Sequence, residues 1–188
     1  MKSNTNFQKY VAPIIVLAGI CLVITAALAA TYGVAHPIIQ KNAKKAADET
    51  RQELLKDADS FTACKGGLWK SSDGKVEVKE AYEANNKSGF VMTVVTKSFG
   101  GDLTEMIGIN QKGEITGVKV TDHADTPGLG TKAHDPKHLA QYKGLTKIQS
   151  TSAKDDPKIN HVTGATISSN AVHYGVYGAM KQYAKMSK

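Results

Sequence analysis

From Tyr10 to Gln40 the chain carries no Asp, Glu, Lys or Arg, and Val11 to Val34 is almost wholly apolar. About 20 such residues make a helix that spans the hydrocarbon core of a bilayer, a medium in which an isolated segment has to be helical. The chain therefore divides into a cytoplasmic stub (residues 1–9), a transmembrane anchor (10–40), a helical stalk (41–55) and one further domain (56–188). Pro13 suits a first helical turn, and Pro37 predicts the end of the spanning helix. Ala27-Leu28-Ala29 also has the form of a signal-peptidase site. The apolar run continues to Ile39, longer than a signal segment, so an uncleaved anchor is the reading adopted. Ile20 is too bulky to precede a lipid-modified Cys21. Lys2 and Lys9 on one flank oppose Lys41, Lys44 and Lys45 on the other, which leaves the positive-inside rule nearly neutral. A short stub inside and the large domain outside is the simpler topology.

Net charge is +7, and only two of the 24 basic residues precede Lys41. The remaining lysines are scattered among acids without interleaved aromatics, which is not the footprint of a nucleic-acid surface. Cys21 and Cys64 are the two cysteines. One lies in the membrane run and one outside it, so they do not pair. With no CxxC or cysteine cluster, haem attachment, iron–sulfur ligation and a dithiol couple have no ligands here.

After the Ala/Lys/Glu-rich stalk helix, Asn42 to Leu55, the pattern becomes β-rich. Lys75 to Tyr82 alternates loosely, and Phe90 to Thr96 is a stronger strand closed by the Ser98-Phe99-Gly100-Gly101 breaker. Met106–Asn110 and Ile115–Val120 flank Gln111-Lys112-Gly113 as a hairpin. Pro136 to Tyr142 reads as a short helix. A last helix is expected to start at the cap-type residues Ser168, Ser169 and Asn170 and to run to about Ala184. Val172, Val176, Met180 and Tyr183 would form its sheet-facing stripe. These elements predict one α+β domain with an antiparallel sheet and packed helices.

The chemistry concentrates in two loops. Thr163-Gly164-Ala165-Thr166 precedes Ile167-Ser168-Ser169-Asn170 at a helix start, where small residues let backbone N–H groups approach a phosphate. Taken alone, Thr166 reads first as a turn hydroxyl bonded to its own backbone. About 40 residues upstream lies His123-Ala124-Asp125-Thr126-Pro127-Gly128-Leu129-Gly130. Pro127-Gly128 supplies a type II turn, which would lift Leu129 out as an apolar knob suited to a flat ring. Gly128 and Gly130 leave backbone groups accessible.

Together the two loops resemble the FMN-binding domain family, as found in the G subunit of Rnf electron-transport complexes and the C subunit of Na⁺-translocating NADH:quinone reductases. The resemblance covers most of the chain: anchor, Ser98–Gly101 turn, Gly113 hairpin, Thr-Pro-Gly-Leu-Gly loop and terminal Gly-Ala-Thr. Asp125 stands where the family usually has Glu, and Asn160 and Thr163 where its attachment motif usually has Asp and Ser. The resemblance implies FMN joined covalently to Thr166 through a phosphoester, with a flavin transferase as maturation partner. It implies cofactor contacts from Thr163, Gly164, Ala165, Ser168, Ser169, Thr126, Pro127, Gly128, Leu129 and Gly130. His123 and Lys132 are further candidates, each equally readable as a turn histidine and a solvated lysine.

The function so implied is electron transfer within an ion-translocating ferredoxin:NAD⁺ oxidoreductase (Rnf) complex, a translocase. The chain would be a redox subunit among membrane, iron–sulfur and flavin subunits, held in the plasma (inner) membrane by a single pass with its domain on the extracytoplasmic side. The FMN-bearing component of a quinone reductase and a non-catalytic anchored binding module are the alternatives. His134 and His138 stand i, i+4, but Pro136 between them and the lack of a third ligand favour a surface pair over a metal site. His161 and His173 flank the attachment motif, as phosphate contacts or as exposed residues.

Overall fold

The computed structural model describes residues 7–187; the first six residues of the N-terminal stub, Lys2 included, and Lys188 lie outside the described residues. Two compact units divide the chain, Met1–Ala47 and Asp48–Lys188. A π-helical turn at Phe7–Val11 leads into α1, Ala12–Leu54, a continuous helix of 43 residues. Its apolar side chains from Ile14 to Ile39 are exposed on every side, and it is long and apolar enough to cross a membrane. Pro37 does not end it. Proline removes one N–H and crowds the carbonyl four residues back. A glycine, Gly33, occupies that position, and the Ala- and Lys-rich sequence beyond Pro37 favours helix strongly enough to carry the helix onward.

In the second unit the last turns of α1 bury Thr50, Arg51 and Leu54. The Arg51 guanidinium lies 3.8 Å over the Tyr82 ring and pairs with Asp48 and with Glu80, the latter at 3.5 Å. Gly108 and Gly117 face each other across two strands. A Cβ on Gly108 would come within 2.8 Å of the Leu54 carbonyl oxygen, and one on Gly117 within 3.0 Å of Leu54 Cδ2. This helix end is therefore seated where the sheet has no side chains.

Five strands form an antiparallel meander in the order β1-β2-β3-β4-β5: β1 Phe61–Ala63, β2 Val76–Ala84, β3 Gly89–Lys97, β4 Asp102–Asn110 and β5 Ile115–His123. The β4–β5 hairpin turns where Gly113 takes φ +78°, and Asn110 Oδ1 accepts the N–H groups of Lys112 and Glu114. A 3₁₀ turn, Gly130–His134, precedes α2, Pro136–Leu139, and a second 3₁₀ turn, Ala140–Tyr142. The 21-residue helix α3, Thr166–Met186, packs across β2, β3 and β4. Val172 and Val176 enter the core with Val76, Val78, Val94 and Ile107, while Met180 and Tyr183 close its edge. The α+β fold is the one the sequence pattern implied.

The start of α3 differs from expectation. Its N-cap is Ala165, with no side-chain cap bond, so Ser168, Ser169 and Asn170 lie inside the first turns. Their polar atoms are used elsewhere. Ser169 Oγ accepts from the Val162 N–H at 3.0 Å, and Asn170 Oδ1 from the Ala153 N–H at 2.9 Å. These side chains tie down the incoming loop, an alternative that Ser and Asn always offer.

Candidate functional site

A cleft of about 300 Å³ opens at the N-terminus of α3, lined by Phe99, Asp125, Thr126, Leu129, Gly130, Gly164, Ala165, Thr166, Ile167 and Ser168. Two sequence-predicted loops meet here. From the first, the Leu129 N–H donates to the Thr126 carbonyl at 3.3 Å and Gly128 takes φ +76°, the geometry a Pro-Gly type II turn demands. Leu129 stands 48% exposed at the cleft. From the second, Gly164 takes φ +83° and turns the chain into α3. A Cβ there would lie 3.7 Å from Leu129 Cδ1, so the two loops touch where side-chain bulk is least.

Thr166 is the first helical residue and is exposed. Its hydroxyl makes no hydrogen bond among the described residues. The Ser169 N–H is the first donor into the helix ladder, reaching the Ala165 carbonyl at 2.9 Å. The N–H groups of Thr166, Ile167 and Ser168 thus precede the ladder, and such groups carry the positive end of the helix dipole. A hydroxyl and three oriented donors beside a glycine form an anion cradle.

The floor of the cleft is organised by Asp125, which is buried. Ser98 Oγ donates to its Oδ2 at 2.6 Å and the Gly100 N–H to its Oδ1 at 2.8 Å. His134 Nε2 approaches Oδ2 at 3.1 Å. Burial opposes the charge, but the bonds from Ser98, Gly100 and Ser168, with His134 nearby, outweigh it and hold the carboxyl below its ordinary range. Gly130 is needed because a Cβ would meet Asp125 Cβ and Ser168 Oγ, each at 2.9 Å. One carboxylate therefore joins the β3–β4 turn, the Pro-Gly loop and the first turn of α3.

The other predicted residues lie around this centre. Thr163 is exposed on the loop before Gly164, Pro127 and Gly128 form the outer side of their turn, and Lys132 is exposed on the 3₁₀ turn. Ser169 is buried beneath the helix start. None of these five lines the cleft, nor does His123, whose ring sits 4.5 Å from that of His134. His134 does not form a surface pair with His138, as its side chain is only 6% exposed. Burial and the neighbouring His123 lower its basicity, which keeps the imidazole neutral near pH 7. Among the described residues no group of His, Cys, Asp or Glu is arranged to hold a metal. His173 neither contacts the attachment loop nor reaches solvent. It is fully buried, with Nε2 at 3.0 Å from the Ser150 carbonyl and Nδ1 at 3.3 Å from the Tyr142 hydroxyl.

Ser98, Phe99, Asp125 and Ile167 join the site without having been chosen from the sequence as cofactor contacts. A signal for the first three existed. The pairing of Leu103 with His123 across β4 and β5 forces the Ser98–Gly101 turn beside Ala124 and Asp125.

Residues 98–181 match the FMN-binding domain family. The chain is similar over most of its length to G subunits of ion-translocating oxidoreductase complexes. It is 27% identical over 165 residues to the G subunit of the proton-translocating ferredoxin:NAD(+) oxidoreductase complex of Clostridium ljungdahlii, covering 86% of this chain and 85% of that one. It is 28% identical over 190 residues to the Na(+)-translocating counterpart from Acetobacterium woodii, covering 93% and 91%. The solved C subunit of the Na(+)-translocating NADH-quinone reductase from Parabacteroides distasonis superposes with a TM-score of 0.46 at 20% identity, covering 62% of this chain and 65% of that one.

Proposed function

We propose that this chain is the FMN-carrying electron-transfer subunit of an ion-translocating ferredoxin:NAD⁺ oxidoreductase complex, with FMN held by a phosphoester to Thr166. The observation that carries the reading is the Thr166 hydroxyl, unpartnered among the described residues, at the start of a 21-residue helix beside an apolar cleft. The residues fit the cofactor at both ends. A phosphate on Thr166 would meet the N–H groups that precede the helix ladder, where negative charge is stabilised. Gly164 leaves that approach open, and Leu129 offers an apolar surface to a flat ring. When bound, the isoalloxazine supplies the electron chemistry, and the protein supplies position and electrostatic surroundings.

Maturation requires the Thr166 oxygen to form a bond to the FMN phosphorus of FAD. The pyrophosphate bond breaks, AMP leaves, and the hydroxyl proton passes to a base on the flavin transferase. The attached cofactor then stays with the protein on the extracytoplasmic side, where loss by dissociation would not be made good. The apolar helix α1 anchors the chain in the membrane. Partner subunits hold the iron–sulfur and NAD chemistry for which this chain has no ligands.

Intact-mass measurement of the full chain, co-expressed with a flavin transferase, tests the proposal. The wild type should gain one FMN less one water, and Thr166→Ala should gain nothing. A Thr166→Ala protein that remains yellow under denaturing electrophoresis would place the link elsewhere. Unmodified wild type under the same conditions would sink the covalent reading.

A further inference from the structure

Ion pairs are confined to one part of the domain. Among the described residues beyond α1, every lysine paired with a carboxylate lies between Lys70 and Lys119. Three lysines without such a partner, Lys112, Lys147 and Lys181, instead converge on one hollow of about 490 Å³. All three are exposed, and no Asp or Glu lines the hollow. Lys112 comes from the β4–β5 turn, Lys147 from the loop after the second 3₁₀ turn and Lys181 from the last turns of α3. Residues scattered along the sequence thus form a cluster only in the fold. The surrounding sequence offers little to neutralise it. Thr166–Met186 contains no acidic residue, and neither does the stretch from Lys143 to Lys154. Glu114, after the hairpin turn, is engaged, as its Oε2 accepts from Asn110 Nδ2 at 2.8 Å.

A solvated lysine face is the ordinary condition of a basic domain. Two features set this one apart. Its floor is apolar, with Ile148 buried at the base and Tyr177 and Met180 half-buried around it. Its walls are also tied together. The Tyr183 hydroxyl donates to the Gln111 carbonyl at 2.8 Å, and the Ile115 N–H to the Leu145 carbonyl at 2.9 Å. Hairpin turn, loop and helix end therefore hold a cationic rim over an apolar floor before any partner arrives, which lowers the ordering cost of binding.

We propose that this hollow docks an acidic segment of a partner subunit. One or more of the segment's carboxylates sit among the three ammonium groups, and an apolar side chain inserts against Ile148, Tyr177 and Met180. Charge complementarity selects the acidic partner, and the desolvated floor anchors it. A concave hollow is filled by a protruding side chain, which a flat array of lipid headgroups does not supply. The hollow's helical wall lies roughly 20 Å along α3 from Thr166, so docking here leaves the proposed cofactor end free. The inference rests on the proposed place of this chain in a multi-subunit complex and not on its flavin.

Lysine footprinting tests it, by acetylation with a succinimidyl ester and mass analysis of the detergent-solubilised complex and of the isolated full chain. Lys112, Lys147 and Lys181 should be protected in the complex. Carbodiimide coupling should join at least one of them to an Asp or Glu of a partner subunit. Labelled full chain titrated against the complex prepared without it gives the affinity. Lys112→Glu, Lys147→Glu and Lys181→Glu combined should weaken binding by about tenfold or more at low salt, as expected for three exposed charge pairs. The corresponding triple Arg variant should bind like wild type. Wild-type affinity should fall with added NaCl, and that of the triple Glu variant should not. The same protection in Thr166→Ala would support the docking surface independently of the cofactor. An assembled complex in which all three lysines react as in the isolated chain, with unchanged affinity in the triple Glu variant, would overturn the inference. Protection found only in phosphatidylglycerol vesicles of the isolated chain would assign the lysines to a lipid surface and overturn it too. A full chain that assembles with no partner would remove the complex and this inference together.

Discussion

Asp125 and Glu105 are both carboxylates closed off from water in the same domain, and their surroundings differ in every other respect. Asp125, at the floor of the cleft, receives bonds from Ser98 and Gly100 and stands beside His134. Glu105, on β4 under the middle of α3, is fully buried, and neither of its oxygens has a hydrogen-bond partner among the described residues. The first keeps its charge because donors replace the lost water. Burial alone acts on the second and pushes its carboxyl well above the ordinary value, which favours the neutral acid. Hydrogen-bond donors are thus concentrated where three loops must meet, while the helix–sheet interface accommodates an acid simply by leaving space for it. That space is Gly175, where a Cβ would lie 1.7 Å from Glu105 Oε1 and 2.8 Å from its Cδ.

The sharpest way to break this contrast is to close the space. Gly175→Ala should destabilise the domain by about 3 kcal/mol, the upper part of the range for overpacking a core. Adding Glu105→Ala should recover most of that loss, since the two changes share one contact and will not be additive. Chemical denaturation of the single and double variants measures both. Additive losses would mean that the helix, not the glutamate, sets the spacing. At the cleft, Asp125→Ala should cost about 2 kcal/mol by stranding the Ser98 hydroxyl and the Gly100 N–H. Asp125 has a lowered carboxyl pKa in the fold. Its stabilisation is therefore full above the ordinary value of 3.8 and is lost as pH falls through the lowered one. Thermal melts of wild type and Asp125→Asn should accordingly converge at acid pH.

How far each region could be read from sequence follows from how local its causes are. The β4–β5 hairpin, strand β3 and the stripe of α3 arise from periodicity and turn residues a few positions apart. The Thr-Pro-Gly-Leu-Gly turn and the Gly-Ala-Thr helix start are equally local, and both meet at the cleft. Strand β1 is three residues long and too short to show a period. Its pairing with β2 comes from the sheet edge. The helix through Pro37 and the last turns of α1 depend on context that composition hides: a paired Gly108 and Gly117 make the seat for Leu54. Asp125 looked like a conservative exchange within a loop. Its role appears only when strand pairing brings Ser98 and Gly100, 27 and 25 residues away, to its side chain. His173 and Glu105 were invisible for the same reason, since burial is a property of the packed helix and sheet.

The effect that is smallest at acid pH tests the neutral half of the comparison. Glu105→Gln keeps the shape of a protonated acid, and at about pH 4 it should change stability by no more than roughly 1 kcal/mol, as expected where no charge or volume is altered. The sign of its pH dependence should oppose that at Asp125. With the folded carboxyl raised above 4.5, the contribution of Glu105 is full below that value and declines as pH rises toward the raised one, because only the unfolded chain ionises. Glu105→Gln should therefore gain on the wild type from pH 5 upward, by about 1.4 kcal/mol per unit while the folded group stays protonated. Parallel melting curves for the two proteins across this range would show that Glu105 is ionised in the fold, and so partnered in a way that Asp125 alone was expected to be.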